Sequence, residues 1–93
     1  MNDVNKATVA EKTDTSAVAV FTYLRGLWQE MLRVPQVNPE DNFFTLGGDS
    51  MLVIEMLVAV SAHFDKEFEY NKFFPKPNVA TLSAIVQEQL RAS

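Results

Sequence analysis

The sequence predicts an all-α fold: a four-helix bundle of three long helices plus one short one, with a long loop between helices 1 and 2. Three observations predict it. Apolar residues recur at spacings of three and four in three separate stretches. No stretch sustains the apolar–polar alternation of a strand. Proline and glycine fall between the periodic stretches, with Gly26 as the exception.

Residues 1–15 mix Asn, Asp, Lys, Thr and Ala without an apolar period, so a flexible N-terminal tail is expected ahead of a domain spanning 16–91. Thr15 or Ser16 is placed to cap the first helix. In that helix Ala17, Val20, Phe21, Leu24, Leu27, Trp28, Met31 and Leu32 share one face, and Thr22, Arg25, Gln29, Glu30 and Arg33 share the other. Gly26 weakens it, and Val34-Pro35 ends it, because the residue before proline is pushed away from helical angles.

Pro35 to Asp49 reads as a long loop, punctuated by Pro39, Gly47 and Gly48. A loop of this length in a small domain is functional or well packed. Phe43, Phe44 and Leu46 are too apolar for a free loop, so at least one phenylalanine is expected to anchor it to the core. Ser50 to Phe64 is the second long helix. Phe68 to Phe74 is expected to hold the short helical turn, stopped by Pro75 and Pro77. Asn78 is placed to cap a last helix carrying Val79, Leu82, Ile85, Val86 and Leu90.

Composition removes several classes of function. A chain of 93 residues has one modest core and little material for a deep cleft. There is no cysteine, which excludes disulfides, thiolate metal sites and cysteine nucleophiles. A single histidine, His63, cannot build a histidine metal site. A net charge of −4 without a Lys/Arg cluster argues against nucleic acid and suits a basic protein partner. No targeting or membrane segment is evident, since the longest apolar run is broken by Glu55, so a cytoplasmic location is expected.

The second helix carries two apolar stripes. Val53, Met56, Leu57, Val60 and Phe64 supply a sufficient core face. Met51, Ile54 and Val58 form another stripe, with Glu55 near its edge. A helix apolar on two sides is either wholly buried or shows one stripe to a partner. Full burial is difficult in so small a domain, so the second stripe is expected to be a docking surface.

Ser50 stands at the start of that helix, after Gly47-Gly48-Asp49. Taken structurally, it is a helix cap behind glycines that supply unusual backbone angles. A catalytic role fails, because a nucleophile elbow needs glycine where Leu52 stands. The histidine that a triad requires lies 13 residues further along the same helix, at about 1.5 Å per residue, and cannot reach Ser50. His63 is accordingly expected to be a plain surface residue. A P-loop lysine is absent, and Asp49 repels a free nucleotide. The remaining chemistry is covalent modification by another enzyme, with a phosphodiester on Ser50 Oγ placed at the positive end of the helix dipole. Asp49 either helps recruit that enzyme, through a basic residue or a metal ion, or caps the helix.

The residues Asp41-Asn42-Phe43-Phe44-Thr45-Leu46-Gly47-Gly48-Asp49-Ser50-Met51-Leu52 resemble the attachment motif of phosphopantetheine-dependent carrier proteins. The match is nearest to peptidyl carrier domains of nonribosomal peptide synthetases and carriers of modular polyketide systems. Phe73-Phe74-Pro75-Lys76-Pro77-Asn78-Val79-Ala80-Thr81-Leu82 is similar to the family's short third helix and the start of its fourth. The resemblance covers about Ala17 to Leu90. It implies that Ser50 takes a 4'-phosphopantetheine arm from coenzyme A, transferred with Mg²⁺ by a separate phosphopantetheinyl transferase, with Gly48 and Asp49 beside it. It implies that an acyl or aminoacyl group is carried on the arm's thiol as a thioester. It maps Met51, Ile54, Glu55 and Val58 onto the partner-docking face.

Two departures stand out. The second helix has only Glu55 as an acidic residue, where fatty-acid carriers are strongly acidic, and Met51 replaces the more usual leucine. The first favours hydrophobic recognition and the peptidyl or modular-polyketide branch; the second is a conservative change for an exposed apolar contact. The implied partners are the transferase, an adenylating or acyl-transferring loading enzyme, and a condensing, ketosynthase or tailoring enzyme. A monomeric, non-catalytic carrier without a metal of its own is expected, either a freestanding protein or a domain excised from a longer chain. The rival is a helical interaction module with no prosthetic group.

Overall fold

In a computed structural model of the protein, residues 14–92 are described. They form three α-helices, α1 (Ala17–Leu32), α2 (Ser50–Phe64) and α3 (Val79–Ala92), and no strand. The expected tail lies outside the described residues apart from Asp14 and Thr15.

Local chemistry starts and stops each helix. Ser16 caps α1, its hydroxyl accepting from the Ala19 N–H at 3.2 Å. The helix runs through Gly26 and ends at Arg33, which takes left-handed angles and bonds back to the Gln29 carbonyl. Asp65 ends α2 in the same conformation. Asn78 caps α3, its side-chain oxygen accepting from the Thr81 N–H at 2.7 Å.

The core follows the helical periods. Val20, Leu24 and Trp28 of α1 are fully buried, at four-residue spacing. They meet Val53, Met56, Val60 and Phe64 of α2 and Val79, Leu82, Ile85 and Val86 of α3. Leu57 and Leu90 are half-buried at its edge. The loops contribute Val37, Phe43, Phe68 and Phe73, so the connections are packed segments. α1 packs against both other helices.

The segment 65–78 bridges α2 and α3. The Tyr70 hydroxyl lies 2.8 Å from Ser61 Oγ and donates to the Leu57 carbonyl at 3.3 Å. On the other side, the Gln89 amide accepts from the Glu69 N–H at 2.9 Å and donates to the Glu69 carbonyl at 2.8 Å.

The short helix expected at Phe68 to Phe74 is a pair of turns instead. Phe73 bonds to the Tyr70 carbonyl and Lys76 to the Phe73 carbonyl, at 2.9 and 3.1 Å, both three residues back. Pro75 and Pro77 offer no N–H to extend them.

Candidate functional site

The loop before α2 is stiffened by its own polar side chains. Asp41 Oδ2 accepts from the Asn38 N–H at 2.9 Å. Asn42 Oδ1 accepts from the N–H groups of Phe44 and Thr45 at 2.8 and 3.3 Å, an Asx turn. Between these turns Phe43 drops into the core, fully buried, while Phe44 stays exposed. The expectation of at least one phenylalanine anchor is met by the first of the pair.

The two glycines do different work. Gly47 has φ of +112°, a conformation that side chains rarely adopt. Gly48 has no positive φ; it lies against Phe43, where a Cβ would overlap the ring. The sequence expectation of unusual angles holds for Gly47 alone.

Asp49 is the N-cap of α2. Its Oδ1 accepts from the Leu52 N–H at 2.9 Å, and its carbonyl accepts from the Val53 N–H at 3.0 Å. The structural reading of Ser50 as the cap is therefore corrected. Ser50 is the first residue of α2, exposed, and no described residue hydrogen-bonds its hydroxyl. With Asp49 already serving the cap, the Ser50 hydroxyl is not needed to hold the helix end.

The second apolar stripe lies on the surface. Met51, Ile54 and Val58 are 65%, 60% and 64% exposed, whereas Val53, Met56 and Val60 of the core stripe are 3% exposed or less. Glu55 is exposed beside them. Successive positions rise about 1.5 Å, so the stripe begins beside Ser50 and extends about 10 Å along α2. Phe44 and Phe74 add exposed apolar rings that the sequence pattern did not single out. The signal was available: each belongs to a Phe-Phe doublet, and in each doublet the first ring is buried and the second exposed.

His63 is no part of this site. It lies near the far end of α2, stacked on Tyr23 with centroids 3.7 Å apart and planes at 8°. The expectation of a plain surface residue is corrected in that respect: its edge is exposed, but its face is covered. Partial burial pushes its pKa below the usual histidine value. Burial also raises the phenols of Tyr70 and Tyr23. Among the described residues no three His, Asp or Glu side chains are grouped to hold a metal ion. No described helix is long and apolar enough to cross a membrane.

The described residues thus form a small all-α domain with an exposed serine at a helix start beside an uncovered apolar stripe. The model of the phosphopantetheine attachment site family matches residues 22–86, and the chain belongs to that family. Its members are substrate-bearing carriers rather than enzymes, and the family implies a phosphopantetheine prosthetic group. The chain is 33% identical over 82 residues to tyrocidine synthase 3 of Brevibacillus parabrevis, covering 88% of this chain and 1% of that protein. It is 34% identical over 62 residues to polyketide synthase PksN of Bacillus subtilis, covering 67% of this chain and 1% of the synthase. The chain thus spans only a small fraction of these relatives. Among solved structures it is similar to BlmI, a type-II acyl carrier protein from Streptomyces verticillus involved in bleomycin biosynthesis. The TM-score is 0.72 at 26% identity, over 80% of this chain and 89% of that one. Both the helical architecture and the motif resemblance agree with these relatives.

Proposed function

We propose that Ser50 Oγ is the attachment point for 4'-phosphopantetheine and that residues 16–91 act as a carrier of acyl or aminoacyl intermediates between biosynthetic enzymes. The observation that carries this is the exposed Ser50 hydroxyl at the first position of α2, within the residues that the family model spans. The residues fit the group. Nothing described covers or bonds the hydroxyl, and the helix start favours the negative charge of a phosphodiester. Attachment forms a bond from Ser50 Oγ to the pantetheine-bearing phosphate of coenzyme A. The pyrophosphate bond breaks, 3',5'-ADP leaves, and the serine proton passes to the transferase. When bound, the group supplies a terminal thiol on which cargo is held as a thioester, which a chain without cysteine cannot supply itself.

The chain's residues divide the remaining work. Asp49 commits Oδ1 to the cap and leaves Oδ2 to meet a basic residue or a metal ion of the transferase. Gly47 and Gly48 shape a loop in which no bulky side chain stands immediately ahead of Asp49. Met51, Ile54 and Val58, with Glu55 at their edge, form the docking surface for the transferase, the loading enzyme and the condensing or tailoring enzyme. The stripe is small, so each encounter is short-lived, as sequential delivery requires.

Incubation with coenzyme A, Mg²⁺ and a broad-specificity phosphopantetheinyl transferase tests this. The wild type gains the mass of one phosphopantetheine, and Ser50→Ala gains none. No gain in the wild type contradicts the proposal and favours the interaction module without a prosthetic group.

A further inference from the structure

Phe43 joins three parts of the molecule. Its N–H donates to the Pro77 carbonyl at 2.8 Å, which ties the loop to the segment entering α3. Its carbonyl accepts from the Gly48 N–H at 3.0 Å. Its buried ring stands edge-on to Trp28, with centroids 4.8 Å apart at 79°. Gly48 is thus held on Phe43 twice, by its N–H on the Phe43 carbonyl and by close packing against the Phe43 ring, which a Cβ on Gly48 would overlap. Only Asp49 separates Gly48 from Ser50. The cap fixes Ser50 from the helix side, and Phe43 fixes it from the loop side.

We infer that Phe43 is a positioning residue for Ser50, setting where the hydroxyl stands when a transferase docks. The inference rests on Ser50 being the attachment point. It assigns Phe43 a role distinct from core filling, and Phe73 supplies the contrast. Phe73 is equally buried and also edge-on to Trp28, with centroids 6.3 Å apart at 87°. Its backbone bonds run only to Tyr70 and Lys76, within its own turns. Loss of either ring therefore thins the same core, but the nearest contacts of Gly48 all belong to Phe43. A displaced nucleophile lowers turnover without weakening docking, because the exposed stripe on α2 is untouched.

The test compares Phe43→Leu with Phe73→Leu in two measurements. The first is the residual dipolar coupling of the Ser50 N–H before loading, which reports its orientation and is not altered by loss of a ring current. It changes in Phe43→Leu and is unchanged in Phe73→Leu. The second is steady-state phosphopantetheine transfer from coenzyme A. Phe43→Leu lowers kcat by about tenfold or more, as misplacement of a reacting group does, with KM within about twofold of wild type. Phe73→Leu retains wild-type kcat despite a lower Tm. Phe43→Met replaces Phe43→Leu if the latter does not fold. An unchanged Ser50 coupling in the Phe43 variant, or an equal kcat loss in both variants, overturns the inference. If the wild type takes up no phosphopantetheine, the function proposed above fails, and the coupling comparison still decides whether Phe43 positions Ser50.

Discussion

Tyr23 on α1 and His63 on α2 lie face to face, with ring centroids 3.7 Å apart. The pair is completed by Phe64, which meets both rings edge-on. The Tyr23 hydroxyl donates to the Ala59 carbonyl at 3.3 Å, so the stack also joins α1 to the middle of α2. It lies at the end of α2 opposite Ser50.

Burial in this stack holds the His63 pKa below the ordinary 6.5. The folded protein then binds a proton less readily than the unfolded chain. Stability tied to the neutral ring is present above pH about 6.5 and is lost as pH falls through the folded pKa. An NMR titration of the single histidine checks this directly. A His63 pKa at or above 6.5 contradicts the prediction.

The two stripes of α2 respond oppositely to mutation. Met56→Ala removes a fully buried side chain and costs about 2–5 kcal/mol. Ile54→Asp alters an exposed one and changes stability by no more than about 0.5 kcal/mol, while it raises KM for the transferase. Denaturant unfolding with transfer kinetics separates the two. A large stability loss in Ile54→Asp means the stripe belongs to the core.

Asp49→Ala removes the cap bond to Leu52 and costs about 1 kcal/mol, read as a lower Tm. It also slows phosphopantetheine transfer, because it removes the free carboxylate oxygen beside Ser50. Asp49→Asn keeps a capping oxygen and restores Tm without restoring the rate. Full recovery of both assigns Asp49 to the cap alone.

Gly47→Ala forces a side chain onto a backbone with φ of +112° and costs about 1–3 kcal/mol despite open space around it. Chemical denaturation measures it. A neutral result means that the loop adopts another conformation.

Much of this was legible from residue spacing. The bounds of α2 and the cap at Asn78 follow from periodicity and capping chemistry, while Thr15 and Ser16 were both open for α1 and Ser16 caps it. The exposed stripe followed because Val53, Met56 and Val60 already sufficed for the core. What stayed hidden depends on contacts between distant residues. Nothing local says that Gly48 must be bare for Phe43, or that Tyr23 covers His63. The Gln89 amide holding Glu69 is equally invisible to a pattern along one helix. The short element before Pro75 and Pro77 forms as i→i−3 turns that do not extend into a helix, because the prolines offer no N–H. Whether Asp49 or Ser50 caps α2 was open, since both side chains can, and backbone geometry selects Asp49.

Everything proposed for this domain depends on the prosthetic group being attached at the Ser50 hydroxyl. Fragment-ion mass spectrometry of the protein after treatment with coenzyme A, Mg²⁺ and a phosphopantetheinyl transferase tests it most directly. One phosphopantetheine is expected, located on Ser50 and absent from Thr45 and Ser61. A modification located elsewhere, or no modification at all, contradicts it.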